Sequence, residues 1–275
     1  MLKKQNKKAT SVFTFSSNND LVKSKRSQVT IFVILAIIIV VAIILLFVLF
    51  KKNDLSIKPT SSDNPKDFLE SCIQSSLEES VDKIITNSGY IQLPQKTKSY
   101  KGRDLPYLCY TGNTGEKCYP SEAVWIEHLE NEIHLYMNNK VSNCVNQMKA
   151  DYESKAYQVS VNYKGFAISL VPDKAKVSID ADINIKKADE QRKFSSVEIS
   201  TFTPLYDMAI IIQKIIYQEA IYCNSDYTLI MRTNTWVSIA KDQTGDDEKV
   251  YTVTDTKTGK IMQFALRNCV QPTPK

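Results

Sequence analysis

The chain has 275 residues, room for one or two ordinary domains. Glycine is 7 of 275, well below the usual share of about 7%, which counts against collagen-like, Gly-linker and Gly-rich phosphate-loop classes. Hydrophobic residues are 43% and charged residues 24%, a balance that excludes wholesale disorder. The net charge of +5 is unevenly spread: residues 1–52 hold nine Lys or Arg against Asp20 alone, so the remaining 223 residues are faintly acidic. A basic nucleic-acid surface on the folded part is therefore not expected.

Residues 1–28 are polar and basic, with no apolar periodicity, and read as a disordered cytoplasmic tail without room for a catalytic or signalling domain. Residues 29–50 (VTIFVILAIIIVVAIILLFVLF) carry Thr30 as the only polar member. As a helix they would reach roughly 33 Å, enough for a transmembrane segment. The run exceeds the apolar part of a cleaved secretory signal and is followed by Lys51-Lys52-Asn53-Asp54 rather than small residues. Seven bases precede it (Lys3, Lys4, Lys7, Lys8, Lys23, Lys25, Arg26), which predicts a single-pass protein with its N-terminus inside and the rest outside. All six cysteines follow the span, and an even number in an extracytoplasmic segment reads as three disulfides.

Residues 51–64 form a polar linker, and residues 65–275 an extracytoplasmic domain. Asp63 or Asn64 can cap a first helix with Pro65 in its first turn and Gly89 as its stop. Its stripe is Phe68, Leu69, Cys72, Ile73, Leu77, Val81, Ile84 and Ile85. Pro94, Pro106 and Pro120 give residues 90–120 a loop-like character. Ser121 with Glu122 opens a second helix with Ile126, Leu129, Ile133, Met137, Val141, Cys144 and Met148 on its buried face. Strands are expected over 156–163 and 166–171, separated by Lys164-Gly165. Another is centred on the alternation Val177, Ile179, Ala181, Ile183, Ile185. A charged turn at 186–193 leads to a strand over 194–203. Pro204 introduces a third, mostly apolar helix over 205–222, and short strands follow at 228–231, 236–240, 250–254 and 261–267. The order predicts an α+β fold, about three helices packed on antiparallel sheet and braced by disulfides.

Cys72 and Cys144 lie on the buried stripes of two helices, Cys109 and Cys118 flank a turn, and Cys223 and Cys269 end the third helix and the last strand. The preferred pairing is therefore 72–144, 109–118 and 223–269, one of the many that six cysteines allow. No Cys-x-x-Cys occurs, so no metal site is expected. His128 and Glu132 are four apart, but Glu127, Glu130 and Asn131 around them, and His134 on another face, predict a solvated surface rather than a metal site. Ser80-Val81-Asp82-Lys83 matches the Ser-x-x-Lys of penicillin-interacting acyl-enzymes, with Ser62-Asp63-Asn64 and Lys257-Thr258-Gly259 as companions. Their order is reversed, however, and Lys257-Thr258-Gly259 has the composition of a hairpin turn.

Lys25-Arg26-Ser27-Gln28-Val29-Thr30-Ile31-Phe32, followed by an aliphatic run, resembles the start of a group of uncharacterised archaeal single-pass membrane proteins. The stretch from Cys72 to Glu78, Gly89-Tyr90-Ile91, Asn143-Cys144-Val145, and Tyr251–Asp255 with Phe264-Ala265 are similar to their later motifs, so the likeness spans most of 25–269. It implies a cell-surface domain with a helix-to-helix cysteine pair and no catalytic residues. The same N-terminal stretch is similar to archaeal class III (prepilin-type) signals, which places a candidate processing site between Ser27 and Gln28. Phe32 stands where pilins carry Glu, and the Pro-containing linker interrupts a pilin stalk.

The reading is thus a membrane-anchored cell-surface protein with a non-catalytic interaction or structural domain. It is expected to need no cofactor, to sit in a lipid bilayer, and to bind another protein or an envelope component but no nucleic acid. The alternative is a pilin-like filament subunit processed before Gln28, and a remote one is an extracytoplasmic serine acyl-enzyme.

Overall fold

The computed structural model describes residues 33–41, 64–245 and 247–269. The chain divides into two units, Met1–Ser56 and Ile57–Lys275. In the first, residues 33–41 are helical (α1) and exposed. Among the described residues no helix is long and apolar enough to cross a membrane. The rest of the 29–50 segment, Ser27, Gln28, the tail and all of the linker but Asn64 lie outside the described residues.

The second unit is α+β. It contains α2 (Pro65–Thr86), β1 (Thr97–Tyr100), β2 (Arg103–Tyr110), β3 (Tyr119–Pro120), α3 (Trp125–Ser154), β4 (Gln158–Val171), β5 (Lys174–Lys187), β6 (Glu190–Phe202), α4 (Leu205–Tyr222), α5 (Tyr227–Thr233), β7 (Val237–Gln243), β8 (Glu248–Asp255) and β9 (Ile261–Arg267). One sheet runs β1-β2-β9-β8-β7 with β3 on β2, and the other is the meander β4-β5-β6. Helices lie between them: α4 touches β8 and β2 of the first sheet and β4 and β5 of the second, while α2 touches β9 and β6.

Local chemistry explains the helix ends. Asn64 accepts from the Lys66 N–H at 3.1 Å and Pro65 occupies the first turn. At the other end the Gly89 N–H returns to the Ile84 carbonyl at 2.7 Å, with Gly89 at φ +106°. The alternation on β5 buries Val177, Ile179, Ala181, Ile183 and Ile185 against the helices and leaves Ser178, Asp180 and Asp182 exposed. Pro204 leads directly into α4, whose buried positions include Met208, Ile211, Ile212, Ile215 and Ile216.

Several expectations are corrected. Residues 90–120 contain β1, β2 and β3 rather than loop alone. Pro106 is tolerated in β2 because β9 joins that strand only from Tyr107 onward, so Pro106 has a strand neighbour on one side. The pairing of β2 with β9 is parallel, so the sheet is mixed. The second helix starts at Trp125, not Ser121, because Ser121 is held to β2: its N–H donates to Leu108 at 2.9 Å and its Oγ to Tyr107 at 2.6 Å. The two strands expected over 156–171 are one, and Lys164-Gly165 is a bulge within it. The charged turn shrinks to Ala188-Asp189. Residues 228–231 are helical, because Asp226 caps them by accepting from the Leu229 N–H at 3.0 Å.

Candidate functional site

A groove of about 480 Å³ opens where four segments meet. Val81 of α2 and Pro204, at the start of α4, give it an apolar floor, and the Phe202 ring stands in it 81% exposed. Lys174 lies 4.9 Å over one face of that ring. An exposed phenyl of this kind is not explained by core packing.

The groove walls are shaped by short polar links. Asp173, in the β4–β5 turn, adopts φ +62°, and its carbonyl accepts from the Thr203 N–H at 3.0 Å. The Thr203 hydroxyl accepts from the Leu205 N–H at 3.2 Å and so ties the first turn of α4. Glu78 accepts from Gln74 at 2.7 Å and from the Thr201 hydroxyl. Across the groove the β8–β9 turn is closed by Asp255, which takes the Lys257 N–H at 2.8 Å and the Thr258 hydroxyl at 3.0 Å. Lys260 pairs with Asp82 at 2.6 Å. Four carboxylates line the groove (Glu78, Asp82, Asp173, Asp255) against two ammonium groups (Lys257, Lys260), so its field is net acidic.

The acyl-enzyme residues are not assembled. Ser80 is fully buried, and its hydroxyl donates to the Leu77 carbonyl at 2.7 Å within α2. Lys83 is on the surface, 3.0 Å from the Tyr136 hydroxyl and 2.9 Å from Glu79, and these two partners raise its pKa, the reverse of what a catalytic base requires. Thr258 is spent on Asp255, and Ser62 and Asp63 lie outside the described residues.

The solvated-face reading of the histidines is also corrected. The His128 side chain is 11% exposed, its Nε2 donates to the Gly89 carbonyl at 3.0 Å, and its ring stacks on Trp125 with Tyr90 edge-on. Burial and the nearby Glu122 and Glu132 carboxylates push the Tyr90 hydroxyl up to about 12. His134 stacks on Phe166 at 4.4 Å. Glu130 and Glu132 accept from the Leu170 and Ile91 N–H groups at 2.8 and 2.7 Å, so this polar row of α3 fastens neighbouring chain segments. Among the described residues no group of three or more His, Cys, Asp or Glu could hold a metal ion.

The cysteines form the bridges Cys72–Cys144, Cys109–Cys118 and Cys223–Cys269, with Cα atoms 5.9, 5.4 and 5.2 Å apart. Beside the last lies a polar cluster that sequence reasoning missed. Glu219 of α4 is fully buried, and one of its oxygens, Oε2, takes Lys249 Nζ at 2.6 Å and Asn268 Nδ2 at 3.1 Å. The other takes the Tyr251 hydroxyl, with Lys241 at 3.3 Å. Lys249 also donates to the carbonyls of Cys223 and Cys269, at 2.6 and 3.2 Å. Burial alone would raise the Glu219 pKa, but the Lys249 and Tyr251 contacts outweigh it and keep the carboxylate ionised. Burial depresses the Lys249 ammonium, with Glu219 offsetting part of that effect. A sequence signal existed: Glu219 falls on the helical spacing of Met208, Ile212 and Ile215, a charged residue on an apolar stripe.

No protein-family profile, curated protein or solved structure matches the chain.

Proposed function

We propose that this is a membrane-anchored surface protein, held by residues 29–50, whose disulfide-braced domain binds a segment of another surface protein. The observation that carries the reading is the set of three bridges. Structural disulfides persist mainly in oxidising, extracytoplasmic compartments, and that side of the membrane agrees with the charge placed before residue 29. The groove around Phe202 supplies the contact surface. Its apolar floor, open aromatic ring and net acidic rim suit an extended partner segment carrying a basic and an apolar side chain.

The test is protease treatment of intact cells, followed by mass measurement of the protein left in the membrane. The expected result is release of the 65–275 domain with the N-terminal tail protected. Complete protection of the domain would overturn the reading. A photo-crosslinking residue at position 202 should then label a surface protein; labelling of carbohydrate alone would move the partner to the envelope itself. A mature N-terminus at Gln28, seen in the same mass, would favour the filament-subunit alternative.

A further inference from the structure

The buried cluster beside Cys223–Cys269 has more order than an ion pair requires. Lys249 and Asn268 lie on adjacent antiparallel segments: Lys249 faces Leu266, and the Asn268 N–H donates to the Asp247 carbonyl at 2.8 Å. The two side chains are therefore diagonal neighbours on one face, a spacing that long side chains can bridge. Both donate to the same oxygen, Oε2 of Glu219, and Asn268 Nδ2 also donates to the Glu219 backbone carbonyl at 2.6 Å. The amide oxygen of Asn268 points the other way, into two backbone N–H groups, Cys118 at 2.8 Å and Cys269 at 2.9 Å. All three residues are buried, 0–1% exposed.

We propose that Lys249 and Asn268 join covalently: the lysine amine displaces ammonia from the asparagine side chain to give an intramolecular amide, with Glu219 carrying protons between the two nitrogens. Glu219 first takes a proton from the Lys249 ammonium. The neutral Nζ adds to Cγ of Asn268, and the Nζ–Cγ bond forms as the carbonyl electrons move onto Oδ1. The Cys118 and Cys269 N–H groups already point at that oxygen and stabilise its developing charge. Glu219 then passes its proton to Nδ2, the Cγ–Nδ2 bond breaks, and the carbonyl re-forms. Ammonia leaves with the second proton from Nζ, as ammonium. Nothing is oxidised or reduced, and no co-reactant is needed.

Each participant meets a physical requirement. Both nitrogens hydrogen-bond one oxygen of Glu219, so the reaction is intramolecular. Burial lowers the Lys249 pKa from its ordinary value, which eases transfer of one of its protons to Glu219. One carboxylate oxygen within hydrogen-bond reach of both the nitrogen that loses a proton and the nitrogen that gains one is the geometry of a proton shuttle. A plain buried ion pair needs none of the oxyanion contacts and is often no better than apolar packing.

The experiment is mass analysis of the full chain after purification, reduction and alkylation, with a tryptic map. The expected protein is lighter than its sequence by one ammonia. The expected peptide is branched, residues 242–257 joined to 268–275, because an acylated Lys249 is not cut by trypsin. The peptide map is essential, because an N-terminal Gln28 would lose ammonia by cyclising on its own. Glu219→Gln should abolish the branched peptide. Lys249→Arg keeps the positive charge and should abolish it too, which covers the case in which the first variant does not fold. Separate 250–257 and 268–275 peptides from folded wild-type protein would overturn the proposal. A branched peptide surviving in Glu219→Gln would overturn the role of Glu219.

Discussion

The indole of Trp125 lies against the α-carbon of Gly89, so closely that a β-carbon there would overlap the ring. Gly89 also sits at φ +106°, and its carbonyl receives His128. One residue therefore ends α2, admits the first side chain of α3 and anchors His128 of that helix. Gly89→Ala is expected to destabilise the domain by about 2–4 kcal/mol, combining backbone strain and overpacking. Thermal and denaturant unfolding would check it; a loss under about 0.5 kcal/mol, the range of an ordinary surface change, would contradict the packing described.

Glu79 of α2 should titrate far below an ordinary carboxylate. The Tyr136 hydroxyl, Lys83 and Lys140 around it bring its pKa from 4.5 to about 2. A carboxylate depressed by folding contributes its stability above the unfolded value, and that contribution is lost as pH falls from 4.5 toward 2. Its side chain is about half exposed, so salt should weaken the effect. Carbon-detected NMR of the carboxyl should give a midpoint near 2, and Tyr136→Phe, which removes the largest contribution, should move it upward.

The three bridges should differ in worth. They close loops with sequence separations of 72, 46 and 9 residues. Chain-entropy arguments give about 4 kcal/mol for each of the two long loops and about 2.5 for the short one. Paired Cys→Ser replacements, followed by denaturant unfolding, should place Cys109–Cys118 last. A larger loss from that pair would mean that its packing, not loop closure, dominates.

Phe202→Ala should leave folding nearly untouched and weaken partner capture. The ring is 81% exposed, so its removal should change stability by less than about 0.5 kcal/mol. Affinity for the bound segment should fall about tenfold or more, as for an aromatic anchor at an interface. Equal binding by the variant and the wild type would remove the groove from the reading.

Regular apolar spacing made much of this fold legible. The stripes of α2 and α3, the alternation on β5 and the apolar run of α4 each announce themselves over several turns or pleats. The strands β1 to β3 did not, because β2 buries Leu105 through Cys109 without alternation and contains a proline. The parallel pairing of β2 with β9 joins segments nearly 160 residues apart, and no local pattern encodes it. The cysteines were placed by helix faces and strand ends. The groove was not visible, because Phe202 reads as one more strand residue and its acidic neighbours come from three separate segments. Glu219 was also passed over, although its place on the apolar spacing of α4 carried a signal, and Lys249 and Asn268 carried none, since only the tertiary fold brings them to it.

The position of β9 has a consequence for how the chain is made. It lies between β2 and β8, so the first sheet is divided until the last strand arrives. The meander β4-β5-β6 and the α2–α3 pair use nearer or earlier segments and can assemble while the chain is still growing. Non-local pairing of this kind slows folding. During synthesis β2 must wait, its parallel edge unpaired, until Ile261–Arg267 has been made, so a nascent chain stalled before residue 261 holds one finished sheet and one open one.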